Sequence, residues 1–230
     1  MFITDYPALK IKKSLVIADL HIGIEYEILQ KGVIVNQVDD LINRVINLIN
    51  LTKANELIIL GDVKHNVPYI QKQELKIPFF LKEINKSVKV KIIPGNHDSF
   101  IKKLIPDDVI ITDPSGLLIN NYGLLHGHTK LPEKMKKSKT IIIGHNHPVI
   151  KFKDKLGLSF IRQVWLIGHN EKQKIIIMPA FSKLVGGTVI NELEDENELL
   201  GPIAKQIDLN NANVFLLDGT NLGMIKDLKI

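Results

Sequence analysis

The sequence predicts an α/β fold in which two β-sheets pack face to face with helices outside them. Three observations lead there. Short β-like runs end in loops rich in Gly, Asp, His or Asn. Helical periodicity fills the gaps between the early runs. From residue 109 onward the pattern is mostly strands and turns. A βαβαβ half joined to a mostly β half fits two sheets sharing one core, and a length of 230 residues fits one domain over 1–230.

The first half is read in order as Ser14–Ala18 feeding Asp19-Leu-His21, then Glu56–Leu60 feeding Gly61-Asp62, then Val88–Ile93 feeding Pro94-Gly-Asn-His-Asp98. Leu124-Leu125 runs into His126-Gly-His128, and Thr140–Ile143 into Gly144-His-Asn-His147. Reactive side chains in the loops beyond strand ends are what an α/β sheet places at its site. Between these runs, Gln37–Leu51 carries Val38, Leu41, Ile42, Val45, Leu48 and Ile49 on a helical stripe. Lys72–Asn85 is a second helix, with Pro78 requiring a start near Ile77 or a kink.

The second half reads as strands at Val109–Thr112, Leu117–Asn120, Leu158–Gly168, Lys174–Met178 and Val214–Leu217, parted by turns such as Asn120-Asn121 and Asp218-Gly219. An edge position for Val214–Leu217, where it could pair with a partner subunit, stays open. Pro132–Lys139 is strongly basic and reads as one helical turn or a lid. Lys151, Lys153 and Lys155 make a second basic cluster, and Glu192–Glu198 an acidic, solvated link.

Composition narrows the function. Hydrophobic residues at 45% and charged residues at 24% exclude a chain without a core. The absence of cysteine removes disulfides, thiolate metal sites and cysteine nucleophiles together. A net charge of +5 permits a polyanionic partner without demanding one. The apolar runs are too short to span a bilayer, and no cationic head with a small-residue cleavage site opens the chain. A soluble, cytoplasmic protein with no membrane partner is expected.

Asp19 and His21 sit two residues apart after one strand, as His145 and His147 do after another. With Asp62, Asn96 and His126 they make seven oxygen or nitrogen donors and no sulfur. Such a set suits Mn, Fe, Co, Ni or Zn. Seven donors exceed one ordinary site, whereas two ions about 3.5–4 Å apart, bridged by a carboxylate such as Asp62, would use them all. No strand–loop ends in Gly-Lys-Ser/Thr, and no Gly-x-Ser-x-Gly elbow is present, so phosphate-loop and serine-nucleophile chemistries lack support.

Taken in order, Asp19-Leu-His21, Gly61-Asp62, Gly95-Asn96-His97-Asp98, His126-Gly and Gly144-His145-Asn-His147 resemble the motif series of calcineurin-like metallophosphoesterases. The resemblance implies a four-layer α/β/β/α sandwich and two divalent ions, Mn first. It implies Asp19, His21 and His147 on one ion, Asn96, His126 and His145 on the other, and Asp62 between them. It also implies that His97 contacts substrate or protonates the leaving oxygen, with Asp98 orienting it. The implied reaction is hydrolysis of a phosphoester by metal-activated hydroxide.

One departure stands out. Where many members carry Gly-Asp-x-x-Asp, this chain has Gly61-Asp62-Val-Lys-His65. With Ala18–Glu25 and Met178-Pro-Ala-Phe-Ser182, that variant resembles archaeal SbcD-related proteins and is similar to bacterial phosphoesterases encoded beside DNA ligases and Lhr-type helicases. A phosphodiester in DNA or RNA is then the expected substrate. The alternatives are a nucleotide or small-molecule phosphatase, and a non-catalytic module recruiting a repair helicase or ligase.

The remaining candidates stay open at this point. His65 and His128 either line the pocket or serve structure. Arg162 either reaches a substrate phosphate or makes a surface ion pair. Lys130 and Lys134, in the basic stretch between two metal motifs, either flank a phosphate backbone or form a solvated face.

Overall fold

The computed structural model describes residues 1–230. In chain order its elements are β1 (Leu9–Ile11), β2 (Ser14–Ala18), α1 (Glu25–Gln30), α2 (Gln37–Thr52), β3 (Glu56–Leu60), α3 (Ile77–Asn85), β4 (Lys89–Ile93) and β5 (Ile110–Ile111). There follow β6 (Leu117–Ile119), β7 (Tyr122–Leu124), β8 (Thr140–Ile143), β9 (Val149–Lys153), β10 (Ser159–His169), β11 (Lys174–Ile177), β12 (Asn213–Leu216) and β13 (Asn221–Met224).

The first sheet runs β1-β2-β3-β4-β5, parallel except for β1. The second runs β13-β12-β10-β11-β8-β7-β6, with β9 attached to β10 alone. Alternation along each strand divides the core into layers. In the first sheet Leu15, Ile17, Leu57, Ile59, Val90 and Ile92 face α2 and α3. Their neighbours Val16, Ala18, Ile58, Leu60 and Ile93 meet Leu124, Ile142, Trp165, Ile167, Ile176 and Met178 of the second sheet's side. The far face of the second sheet, including Ile141, Ile143, Val164 and Leu166, is covered by Met135, Leu199, Ile203 and Ile207. The layers form the α/β/β/α sandwich, its second outer layer made of short 3-10 turns such as Glu196–Glu198 and Ala204–Gln206.

Pro78 acts as anticipated. A 3-10 turn over Lys72–Lys76 precedes α3, and Pro78 sits in the first turn of α3, where its missing N–H leaves no bond unmade. The open question of Val214–Leu217 is answered by the sheet order. β12 lies between β10 and β13, and β13 takes the outer position. The short run Asn221–Met224, with Gly223 in the left-handed region, gives no strand pattern to read. No helix is long and apolar enough to cross a membrane.

Candidate metal centre

Each motif occupies the loop beyond a parallel strand, and the two sheets bring these ends together. Asp19 and His21 follow β2, Asp62 follows β3, Asn96 to Asp98 follow β4, His126 follows β7, and His145 and His147 follow β8. Seven of the chain's eight histidines collect here, and His169 alone stands apart. The loops are laced by backbone. The amides of Asp19 and His21 donate to the carbonyls of Gly61 and Asp62. Met178–Ser182 then crosses between sheets, Phe181 and Ser182 donating to Ala18 and Asp19.

Five of the seven donors hold a left-handed backbone: Asp19 (φ 59°), His21 (47°), Asp62 (49°), His145 (70°) and His147 (44°). For residues with a Cβ that region costs roughly 1–2 kcal/mol each. The rest of the fold must therefore impose it, and it turns side chains inward that an extended backbone would send past one another. Close approach also depends on Gly95, where a Cβ would lie 2.6 Å from the Asp62 amide nitrogen and closer still to its carboxylate.

Two donor clusters share Asp62: Asp19, His21, Asp62 and His147 form one, and Asp62, His126 and His145 the other; a third, of imidazoles alone, groups His21, His65 and His97. Asn96 Oδ1 lies 3.1 Å from His126 Nε2. The imidazoles are oriented from outside. His126 Nδ1 donates to the Leu60 carbonyl (2.9 Å) and His147 Nδ1 to the Gly186 carbonyl (3.1 Å). Their Nε2 lone pairs thereby point inward, to 3.4 Å from the Asp62 and Asp19 carboxylates respectively. His21 Nε2 faces His147 Nε2 at 3.3 Å, and His126 Nε2 faces His145 Nδ1 at 3.2 Å. Nitrogen and carboxylate lone pairs converging so closely fit divalent cations between them, and the clustered Asp and His residues make a binuclear divalent-metal site.

The electrostatics agree. Burial and the neighbouring His147 depress His21 to a pKa of about 3, and burial with His126 depresses His145 to about 4. Burial opposes charge on His126 as well, yet Asp62 and Asp19 outweigh it and lift its pKa to about 9. Burial would raise Asp62, but His126 and His21 hold it below the usual carboxylate range. Asp98 is pushed up to about 6 by burial and by Asp62.

His97 and Asp98 are held by different partners. The carboxylate of Asp98 is turned to backbone, accepting from the amides of Val63 (2.9 Å), Lys64 (3.2 Å) and Gly95 (2.8 Å). It clamps two loops together rather than orienting the neighbouring imidazole. His97 Nδ1 instead bonds the carbonyl of His65, its own amide donates to Asp62 Oδ1 (2.9 Å), and its Nε2 has no protein partner.

His65 joins the centre, its Nδ1 3.2 Å from His21 Nδ1. His128 stands in the wall, its ring 5.2 Å from His126 and its buried Nδ1 without a partner. The cationic candidates do not join the clusters. Lys130 is exposed, Lys134 donates to Ser115 Oγ (2.9 Å) and the Gly116 carbonyl (2.8 Å), and Arg162 lies over the Phe160 ring. Sequence reasoning missed Glu27, which receives His65, and Glu74, whose buried carboxylate accepts from the amides of His65, Asn66 and Gln71. Neither carries a local sequence signal, since an acid near a helix start is ordinary.

A model of the calcineurin-like phosphoesterase family matches residues 12–198. No curated protein matches the sequence. Among solved structures, the nuclease MPE from Pseudomonas putida is similar at 21% identity and a TM-score of 0.58, over 92% of this chain and 88% of that one. Yfce, a phosphoesterase from E. coli, aligns at 19% identity and a TM-score of 0.45, over 91% of this chain and 96% of that one.

Proposed function

The chain belongs to the calcineurin-like phosphoesterases, and on that footing we propose that its metal centre cleaves phosphodiesters, with nucleic acid as the substrate class. The observation that carries the reading is the sharing of Asp62 by both donor clusters, which is what a paired-ion hydrolase requires. Asp19, His21, Asp62 and His147 would hold one ion, and Asp62, Asn96, His126 and His145 the other. Oxygen and imidazole donors without sulfur suit manganese. When bound, such a pair polarises a phosphoryl oxygen and lowers the pKa of water.

The chain's own groups do the rest. Asp98 locks the loops after β3 and β4, so the His97 amide stays on Asp62 and the His97 ring stays on the His65 carbonyl. With Nδ1 thus engaged, Nε2 is presented to a phosphate oxygen or to the departing alkoxide, where a protonated imidazole supplies the proton. The exposed Asn96 marks the mouth of the centre. Nucleic acid is favoured by the excess of 30 Lys and Arg over 25 Asp and Glu, by the likeness of fold to a nuclease, and by the resemblance to SbcD-related proteins.

The test compares bis(p-nitrophenyl) phosphate with p-nitrophenyl phosphate, then labelled single-stranded and duplex DNA, using manganese-loaded protein. Diester turnover abolished by chelation and by Asp62→Asn is expected, together with strand cleavage. Preference for the monoester would replace this reading with a small-molecule phosphatase. Bound metal without any turnover would leave a recruitment module.

A further inference from the structure

The hairpin of β9 and β10 leaves the metal centre as an arm. β9 begins at Val149, two residues after His147; its only strand partner is β10, and its first residues are also held by Val189 and Asn191. The later part of β10, Val164–Ile167, is held in the second sheet by β12, whereas Ser159–Gln163 pair with β9 alone. Val149 and Ile150 are buried in the body, and the three outer pairs, at about 3.3 Å per residue, carry the tip roughly 10 Å beyond it.

The arm has an unusual surface. Phe152 and Phe160 stack across the strands at 5.2 Å, and the Arg162 guanidinium lies 5.0 Å over the Phe160 ring. At the tip Leu156 is 87% exposed and Leu158 67%. Asp154 is the one acid between residues 149 and 163, and its carboxylate is occupied by the amides of Leu156 and Leu158. Lys151 is paired with Glu192, but Lys153 and Lys155 have no acidic partner, and Arg162 donates only to the Ile161 carbonyl. The basic run over residues 130–139 is less available, since Lys134 is bonded to Ser115 and Gly116 and Lys136 to Glu133.

By strand alternation Phe152, Phe160 and Arg162 share one face of the arm and Lys153 the other, with Lys155 and Leu156 at the tip. A single strand crossing that tip would set bases on the aromatic face and phosphates toward the unpaired lysines. A second copy of the arm would bring the same cations against it. We propose that the β9–β10 arm grips a single nucleic-acid strand that lies across the metal centre, its bases on the Phe160–Arg162 surface and the leucine tip, its phosphates on Lys153 and Lys155. This rests on the nuclease reading above and gives it a binding surface.

The experiment measures binding of a short fluorescein-labelled phosphorothioate single strand to the manganese-loaded full chain, by anisotropy across a salt series. Lys153→Ala with Lys155→Ala is expected to weaken binding and to flatten the slope of log K against log salt by about 1.4, roughly 0.7 per lost phosphate contact. Phe160→Ala is expected to weaken binding about tenfold with the slope retained, as lost stacking would. Manganese stoichiometry and melting temperature identify a variant that has merely lost its fold. Wild-type binding matched in affinity and slope by both variants would overturn the proposal and assign the arm to a protein partner. A wild type that turns over the small diester but neither binds nor cleaves the strand would overturn the nuclease reading, and the grip with it.

Discussion

His65 Nδ1 lies 3.2 Å from His21 Nδ1, and His65 Nε2 lies 3.0 Å from Glu27 Oε1. One assignment of protons satisfies all these atoms. His21 donates from Nδ1 to His65, His65 donates from Nε2 to Glu27, and the lone pair of His21 Nε2 is left facing Asp62 and His147. A ligand imidazole held from behind in this way keeps its ring plane and its tautomer. The histidine at position 65 thus has both ring nitrogens engaged.

His65→Ala is therefore expected to weaken manganese binding by about 10–100-fold, with His65→Gln recovering part of it because the amide can accept from His21. Titration of the metal-free protein by calorimetry reads this without reference to turnover. Equal affinity in wild type and His65→Ala would show that His21 needs no support from behind.

Gly95 tests the bridging carboxylate. A methyl there would press on Asp62 and come within 2.9 Å of its Cγ. Since Asp62 serves both clusters, Gly95→Ala should impair both ion positions together, lowering affinity on the order of 100-fold. Metal analysis after dialysis checks it, and a variant that keeps two ions per chain would refute the crowding argument.

Metal uptake should release protons. In the metal-free protein His126, with its pKa near 9, is protonated at neutral pH, and His147 is raised too, burial being outweighed by Asp19. His21 and His145 are already neutral there. His126 must lose its proton to bind a cation, so affinity should climb as pH rises toward 9, by up to about tenfold per pH unit. Calorimetry in buffers of different ionisation enthalpy measures the release directly. Heats independent of buffer would contradict it.

The layer between the sheets sets the geometry of the centre and should dominate stability. Ile58 is fully buried there among Leu60, Ile142 and Trp165. Ile58→Ala should cost about 2–5 kcal/mol in urea unfolding. Leu51, 68% exposed on α2, should tolerate alanine within about 0.5 kcal/mol. Similar losses at the two positions would argue against a single layered core.

Much of this was legible because it is local. Strand alternation, the stripe on α2, the halt at Pro78 and the ordered motifs are each written within a window of a few residues, and β2, β3 and β8 match their expected ranges end to end. Less legible were β1, β9 and β13, all short and each one side of a local hairpin whose other strand carries the clearer pattern. Val149–Lys153 reads as a basic cluster until its pairing with β10 makes it one side of an arm.

The sequence by itself determined which side chains meet and which chemistry they suit, because donor type and motif order are properties of the chain. Tertiary structure alone decided how they are aimed. Asp19 and His145 are 126 residues apart and meet only when the two sheets pack. That packing also gives Asp98 to three backbone amides rather than to His97, puts His65 behind His21, and leaves Phe160 and the leucine tip in solvent. Hydrogen-bond direction and exposure depend on what lies across the sheet, and a linear pattern holds no record of it.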